Sequence, residues 1–470
     1  MLSGINPPLK RIEIERLHLT QIALVPDQEN DQKFRSNPTR SNSYRTRQHD
    51  RALWEDVFPH FSAIIQADGS PWTHGNLFLL DRILNIPDTK DGTISGIAND
   101  LVHFINEISK NGIGYLDFST RKLKLPTYQY HRLLSEAMDL GDGEASTAKK
   151  RLGSVRAFYR WLKNENIIDP SLRLWEEATF YQSFTDDRGQ TYSKAATRTD
   201  LTFKVEKNVD PTDAYIEDGG KLRPLTRDEQ KALVQALIHL KNPEMLISFL
   251  IALTSGARIQ TVFTLPKSTF TFERAANEGE LVPVRIGKGT NIDNKNNKPM
   301  TLLIPKWVFL MACNYGKSER HVKRCHTAKT KHPQSEMDYL FITKSGSPYY
   351  TATKDTKIIK SRTLPKGEAV RLFISRQLLP CLRQHHPKFR LSFHDLRATF
   401  GMNLLEDKLD QIKPTTGNYD LVLRYVQERM GHARLETTER YLKYRDKLKI
   451  FTHTQSEFES YVQYLCADPV

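Results

Sequence analysis

Apolar residues recur at helical spacing along most of this chain and alternate as in strands at only a few places. Leu101, Phe104, Ile105 and Ile108 lie three or four apart and Gly112 closes the stretch, so a helix is expected there. A second falls within residues 126–138. A third begins at Ser146 or Thr147 and carries Leu152, Val155, Tyr159 and Leu162 on one stripe. Upstream, residues 54–65 and 76–84 read as helical, with Gly69-Ser70-Pro71 as the break between them. Leu201, Phe203 and Val205 alternate as in a strand, and Asp218-Gly219-Gly220 is turn-like. Thr226 and Glu229 form a capping-box pair heading a helix to Leu240. Asn242-Pro243 opens the next helix, which ends at Gly256. Residues 281–286 and 300–304 read as two strands, the second ended by Pro305, and Tyr339-Leu340-Phe341-Ile342 as a short third before the turn Gly346-Ser347-Pro348. Met430-Gly431-His432 reads as the end of an amphipathic helix, with Gly431 as left-handed terminator. The chain is expected to be mainly α with a small β-sheet, an α+β fold.

Length and charge sharpen this picture. At 470 residues, two or three domains are expected. A net charge of +14 favours a polyanionic partner. Two segments concentrate the charge. Lys33, Arg35, Arg40, Arg45, Arg47 and Arg51 stand among Ser, Asn, Thr and Gln, either as a solvated loop or as a segment that orders on DNA. Lys149, Arg156, Arg160 and Lys163 form a stripe beside the apolar face of the third helix, placed to lie along phosphates or to face water. Cys313, Cys325, Cys381 and Cys466 form no CxxC pair, and His321, Cys325 and His326 have no second ligand cluster to match them. Neither a disulfide framework nor a metal site is expected. Residues 1–17 hold no apolar signal core, and no run reaches the ~18 apolar residues that span a bilayer, so a cytoplasmic protein without membrane contact is expected.

The candidate chemistry lies late in the sequence. His394 and Arg397, in Phe393-His394-Asp395-Leu396-Arg397, stand three apart, so on a helix they share a face and can hold one phosphate. His432 follows Gly431, and Tyr441 comes nine residues later. In this order the pieces resemble the tyrosine recombinases, the phage-integrase class of DNA-cutting enzymes. That family also needs an Arg after a Gly where one helix gives way to the next, and Thr254-Ser255-Gly256-Ala257-Arg258 supplies it. It needs a Lys on a β-hairpin, and Lys288, Lys295 and Lys298 lie between the two expected strands. Lys295 is preferred for its distance from Pro305; Lys288, in Gly287-Lys288-Gly289, is the alternative. The resemblance spans roughly residues 225–444. Phe158-Tyr159-Arg160-Trp161-Leu162 is similar to the end of the last helix in the family's core-binding domain. Two departures stand out: Thr261 occupies a position where the family often carries an acid, and residues 406–420 are longer than usual and read as a loop insertion.

The resemblance implies a basic, helical N-terminal extension (1–92), a helical core DNA-binding domain (93–169), a linker (170–223), a catalytic domain (224–446) and a tail (447–470) that docks on a neighbouring protomer or folds back on its own. It implies site-specific strand cleavage and rejoining, without a cofactor, through a 3′-phosphotyrosine on Tyr441. Arg258, Arg397, His394 and His432 would bind the phosphate, and Lys295 or Lys288 would protonate the leaving oxygen. Tyr444, one helical turn on, competes for the nucleophile's role. The implied partners are double-stranded DNA sites paired by a homotetramer, with accessory DNA-bending or directionality proteins, in the setting of a mobile element. A catalytically silent sequence-specific DNA-binding protein is the alternative that Thr261 keeps open, and a type IB topoisomerase is a weaker one.

Overall fold

The structure, a computed structural model, describes residues 8–18, 21–24, 44–47, 57–86, 89, 91–185, 191–203, 215–333, 335–336, 338–355, 364–411 and 418–467. It is mainly helical, and its described strands pair as separate two-stranded antiparallel sheets. The chain divides between residues 208 and 209 into two compact units.

In the first unit, helices Thr73–Asn85, Asp91–Lys110, Pro126–Asp139 and Ala145–Asn164 share one core. The expected stripe supplies it: Leu101, Phe104, Ile108, Leu152, Val155 and Tyr159 are almost completely buried. The helix expected over residues 54–65 is instead the strand Val57–Ile65; residues 54–56 lie outside the described part. It pairs with Lys10–His18, setting Ile12 opposite Ala63 and Ile14 opposite Phe61. A short apolar run does not declare its period, and here the deciding partner lies 39 to 55 residues upstream. Glu177–Thr185 and Thr191–Thr199 form a ribbon. Leu201 and Phe203 are buried beyond it, but in a turn rather than a strand; Val205 lies outside the described residues. Leu9 and Phe61, from the expected extension, and Leu201 and Phe203, from the expected linker, all contribute to this one core.

The second unit begins with a small hairpin, Ile216–Glu217 paired with Lys221–Leu222. Helix Arg227–His239 follows, headed by the expected capping box between Thr226 and Glu229. Asn242 caps helix Pro243–Ser255 by accepting from the Met245 amide. Gly256 ends that helix at φ +69°, a conformation only glycine adopts at little cost. The strands Leu281–Ile286 and Met300–Pro305 pair as expected, burying Val284 against Leu302 and Val282 against Ile304. The expected strand at 339–342 is reduced to single bridges, Tyr339 with Pro266 and Ile342 with Pro348. Helices Asp395–Gln411, Asn418–Met430 and Leu435–Ala467 complete the unit. The loop expected over 406–420 is narrower than its sequence suggests. Residues 406–411 continue one helix, 418–420 begin the next, and 412–417 lie outside the described part. The tail is no separate element: it continues the Tyr441 helix, and Phe458, Val462 and Tyr464 on it are exposed. Among the described residues no helix is long and apolar enough to cross a membrane.

Candidate active site

All the residues expected to act on a phosphate meet in the second unit, around the turn of its first hairpin. Arg258 emerges from the left-handed turn at Gly256, at the start of helix Ile259–Phe263. Arg397 lies in the first turns of helix Asp395–Gln411, with His394 just before it. Gly431, at φ +65°, ends helix Asn418–Met430 and delivers His432. Tyr441 sits on helix Leu435–Ala467. Lys295 lies on the connection between the two strands of the larger hairpin.

At their centre is a residue that the sequence patterns did not mark for chemistry. Asp218 is buried in the Ile216–Leu222 hairpin turn, and its Oδ2 accepts from Arg397 Nε (2.8 Å), His432 Nε2 (3.1 Å) and the Tyr441 hydroxyl (3.2 Å). Arg258 Nη2 is 3.5 Å from its Oδ1. Lys295 Nζ stands 3.1 Å from where a Cβ on Gly219 would lie, and His394 Nε2 4.0 Å. Lys288 is exposed, and its backbone amide donates to the Asn297 carbonyl. The one available signal for Asp218 was the turn-like Asp-Gly-Gly, which places an acid in a turn but does not say what it faces.

Arg397 is held by two helix ends. Its Nη1 donates to the Gly256 carbonyl (2.9 Å) and Nη2 to the Met430 carbonyl (2.7 Å). Both carbonyls lie at helix C-termini, which carry partial negative charge and lack intrahelical donors. Three of the five guanidinium N–H groups are thereby directed, and two remain for another acceptor. His432 Nδ1 lies 2.9 Å from the Thr438 hydroxyl, and Thr438 is fully buried. A carboxylate only accepts, so Nε2 of neutral His432 carries the proton and Nδ1 accepts from Thr438. Asp218 therefore sets the ring's tautomer, and the Thr438 hydroxyl, which can donate as well as accept, satisfies the other nitrogen, a role that sequence spacing did not suggest. Gly401 makes room for the Tyr441 ring, since a Cβ there would lie 2.5 Å from Tyr441 Cε1.

Electrostatics follow from this burial. Desolvation pushes the Arg258 guanidinium down to about 10, helped by the neighbouring Arg397 charge, so it remains protonated at neutral pH. Burial also pushes both His394 and His432 below the ordinary imidazole value, with Asp218 opposing the shift at each. Burial would raise the Asp218 carboxyl, but hydrogen bonding from His432 and the charge of Arg397 hold it well below the usual carboxylate range. Tyr441, completely buried, is pushed far above a free phenol by burial and then by Asp218. Tyr444 is only partly buried, and its electrostatic neighbours are Arg223 and Glu229. Thr261 is buried in the short helix after Arg258, and Asp218 is the acid paired with Arg258 among the described residues.

The proposed cationic stripe, which lies in the other unit, is partly engaged within that unit. Arg156 Nη1 donates to Thr199 (2.7 Å), Arg160 pairs with Glu177 (2.7 Å), Lys163 donates to the Leu172 carbonyl, and Lys149 is exposed. His321 and Cys325 touch on helix Glu319–Lys331 while His326 is exposed. Among the described residues no group of three or more His, Cys, Asp or Glu is placed to hold a metal.

The site is thus a cage of cations and imidazoles closed around one anion, with a tyrosine hydroxyl inside it. No protein-family model matches the chain, and a search of curated proteins finds no match. Among solved structures it is similar to the XerH site-specific recombinase bound to a palindromic difH substrate, at 16% identity and TM-score 0.42 over 74% of this chain and 75% of that one. It is also similar to the Tn1549 transposon integrase in complex with circular intermediate DNA (13% identity, TM-score 0.43, 78% of this chain and 94% of that one). A lambda integrase dimer bound to a COC′ core site is a further similar structure (14% identity, TM-score 0.40, 78% and 94%). Likeness at this level assigns neither an activity nor a residue, and both rest on the geometry.

Proposed function

We propose that this protein is a site-specific DNA recombinase that cuts and rejoins strands through a 3′-phosphotyrosine on Tyr441. The observation that supports it best is the convergence of Arg397 Nε, His432 Nε2 and the Tyr441 hydroxyl on a single anionic oxygen. Phosphodiester cleavage passes through a pentacoordinate phosphorane with added negative charge, which fixed cations stabilise more than they stabilise the ground state. Arg258 and Arg397 would hold the non-bridging oxygens with planar, permanently charged forks. His432, neutral with its proton on Nε2, would donate to the same oxygens. His394, also neutral at pH 7, would take the tyrosine proton as general base. Tyr441 would then attack phosphorus, and Lys295 would protonate the leaving 5′-oxygen so that it departs as a 5′-hydroxyl. The new ester keeps the energy of the broken one, so a second 5′-hydroxyl can reverse the step and join a different strand.

The substrate on this reading is duplex DNA at paired sites, in keeping with the +14 charge. Four protomers would exchange strands on those sites, with the exposed apolar side chains Phe458, Val462 and Tyr464 available to a neighbouring protomer. The test is a nicked duplex cut from the DNA flanking the gene, whose short 5′ fragment diffuses away after cleavage and traps the adduct. Wild type and Tyr444→Phe should form a covalent complex, and Tyr441→Phe should bind the duplex yet form none. Binding by the wild type with no adduct on any flanking duplex would favour a silent DNA-binding protein instead.

A further inference from the structure

We propose that the Asp218 turn is a built-in occupant of the phosphate site, a carboxylate that takes the place of the scissile phosphate and must withdraw before DNA is cut. The inference rests on the nucleophile reading above and adds a closed state to it.

Three observations carry it. The first is position: the Asp218-Gly219 turn lies inside the ring formed by Arg258, Lys295, His394, Arg397, His432 and Tyr441 rather than behind any one of them. An acid that only braced an arginine would sit on the side away from the reacting atoms, and it would have no reason to accept from the nucleophile. The second is closure. Tyr441 is 0% exposed and Arg397 3%, so a phosphate on a DNA duplex has no route to either while the turn is seated. The third is exclusivity. A non-bridging phosphate oxygen needs the same donors that Asp218 Oδ2 holds at 2.8, 3.1 and 3.2 Å, and two anions cannot share one desolvated cage.

The hairpin is built for such a role. Among the described residues two pairs, Ile216 with Leu222 and Glu217 with Lys221, hold its strands together. So short a ribbon has little stability of its own and depends on its docking. Ile216 and Leu222 are buried in the same cluster as Tyr441, Phe400 and Met430. Arg440, next to the nucleophile, donates to the Glu217 carbonyl (3.1 Å) and lies 3.4 Å from its carboxylate. The occupant and the nucleophile's helix are therefore latched to each other. Such a device suits a strongly basic nuclease-like protein, which meets many phosphates and should react with few: the nucleophile stays protonated until a correctly seated phosphate displaces the carboxylate.

The test uses the full-length chain and inorganic phosphate as the probe, with binding read by calorimetry and by the phosphate-induced rise in Tm. An occupied site weakens apparent affinity in proportion to the fraction of molecules that are open, so a turn seated nine-tenths of the time costs about tenfold. Asp218→Asn, close to isosteric, should bind phosphate at least about tenfold more tightly than wild type. The gain should vanish when Arg258→Gln is added. Gly219→Ala gives a second route: it keeps the carboxylate but strains the turn, at φ +75° with Lys295 in the way, and should shift affinity in the same direction. Adduct formation on the nicked duplex should be as fast as wild type or faster in both variants. If Asp218→Asn and Gly219→Ala gain no phosphate affinity, the proposal is overturned. If adduct formation also drops while duplex binding is unchanged, Asp218 is a permanent positioning partner of Arg397 and His432. Failure of the recombinase reading looks different: wild type and variants alike give no Tyr441-dependent adduct, whatever the phosphate measurements say.

Discussion

Replacing Gly401 with alanine isolates the placement of Tyr441, the proposed nucleophile, from everything else in the site. Gly401 lies within helix Asp395–Gln411, and an added Cβ would stand 2.5 and 3.1 Å from Tyr441 Cε1 and Cδ1 and 3.1 Å from Met430 Cε. Carbon atoms rest about 3.5–4.0 Å apart, so the ring has to retreat by roughly 1 Å. Two stability terms oppose each other. Alanine favours a helix interior over glycine by about 1 kcal/mol, whereas overpacking a filled core costs about 1–3 kcal/mol. The net loss is therefore small, about 0–2 kcal/mol, because the helix term offsets part of the clash. The catalytic effect is not small: misplacing a reacting group by about 1 Å costs about 100-fold in rate. Gly401→Ala should thus remain folded, with a denaturation midpoint near wild type, while covalent adduct on the nicked duplex accumulates about 100-fold more slowly. Gly153→Ala is the contrast, since nothing lies within 4 Å of its added Cβ in helix Ala145–Asn164. It should stabilise the protein by up to about 1 kcal/mol and leave the rate alone. Adduct formation by Gly401→Ala at the unaltered rate would refute the assignment of Tyr441, or its placement against this helix.

Lys295→Ala should slow cleavage of an ordinary duplex and be rescued by a 5′-bridging phosphorothioate, whose leaving group needs no proton, while Lys288→Ala shows little defect; the reverse pattern moves the general acid to Lys288. Duplex affinity should fall steeply with salt, and changing both Lys149 and Arg160 to Gln should flatten that dependence by about 0.9 per lost phosphate contact. An unchanged slope would leave Arg160 as a partner of Glu177 alone. For pH, burial holds His394 and His432 below the ordinary imidazole value, so the unfolded chain binds more protons than the folded one once pH drops through about 6.5. Stability should be full above that value and decline as pH falls toward the folded-state values, with the depressed Asp218 carboxyl continuing the decline further into acid. Urea midpoints measured between about pH 8 and pH 4 would check the sign, and a midpoint that rises on acidification would contradict it.

What was legible in the sequence, and what was not, divides along the range of the contacts involved. The glycine that ends a helix and turns Arg258 into place and the Thr226 cap are local, and each appears in the structure where the sequence put it; His394 and Arg397 stand close as expected, but His394 precedes the helix rather than sharing a face of it. The strand Val57–Ile65 was misread because its pairing partner lies far upstream. Asp218 was missed for the same reason on a larger scale: its bonds to Arg397, His432 and Tyr441 cross 179, 214 and 223 residues. One physical clue was nevertheless present. Two arginines brought together away from water need a counter-anion, since an unpaired buried charge costs several kcal/mol. Thr261 removed the acid expected beside the first of them, so in the absence of DNA another carboxylate had to supply the charge. Composition cannot say which. Among the described acids near the start of this unit, Asp218 stands in a glycine turn flanked by two buried apolar residues, Ile216 and Leu222, that pin the turn over the site. A counter-anion held by so short a hairpin can leave when a better anion arrives, so on the proposed reading the demand that the arginines be neutralised and the demand that the site open to DNA are met by the same residue.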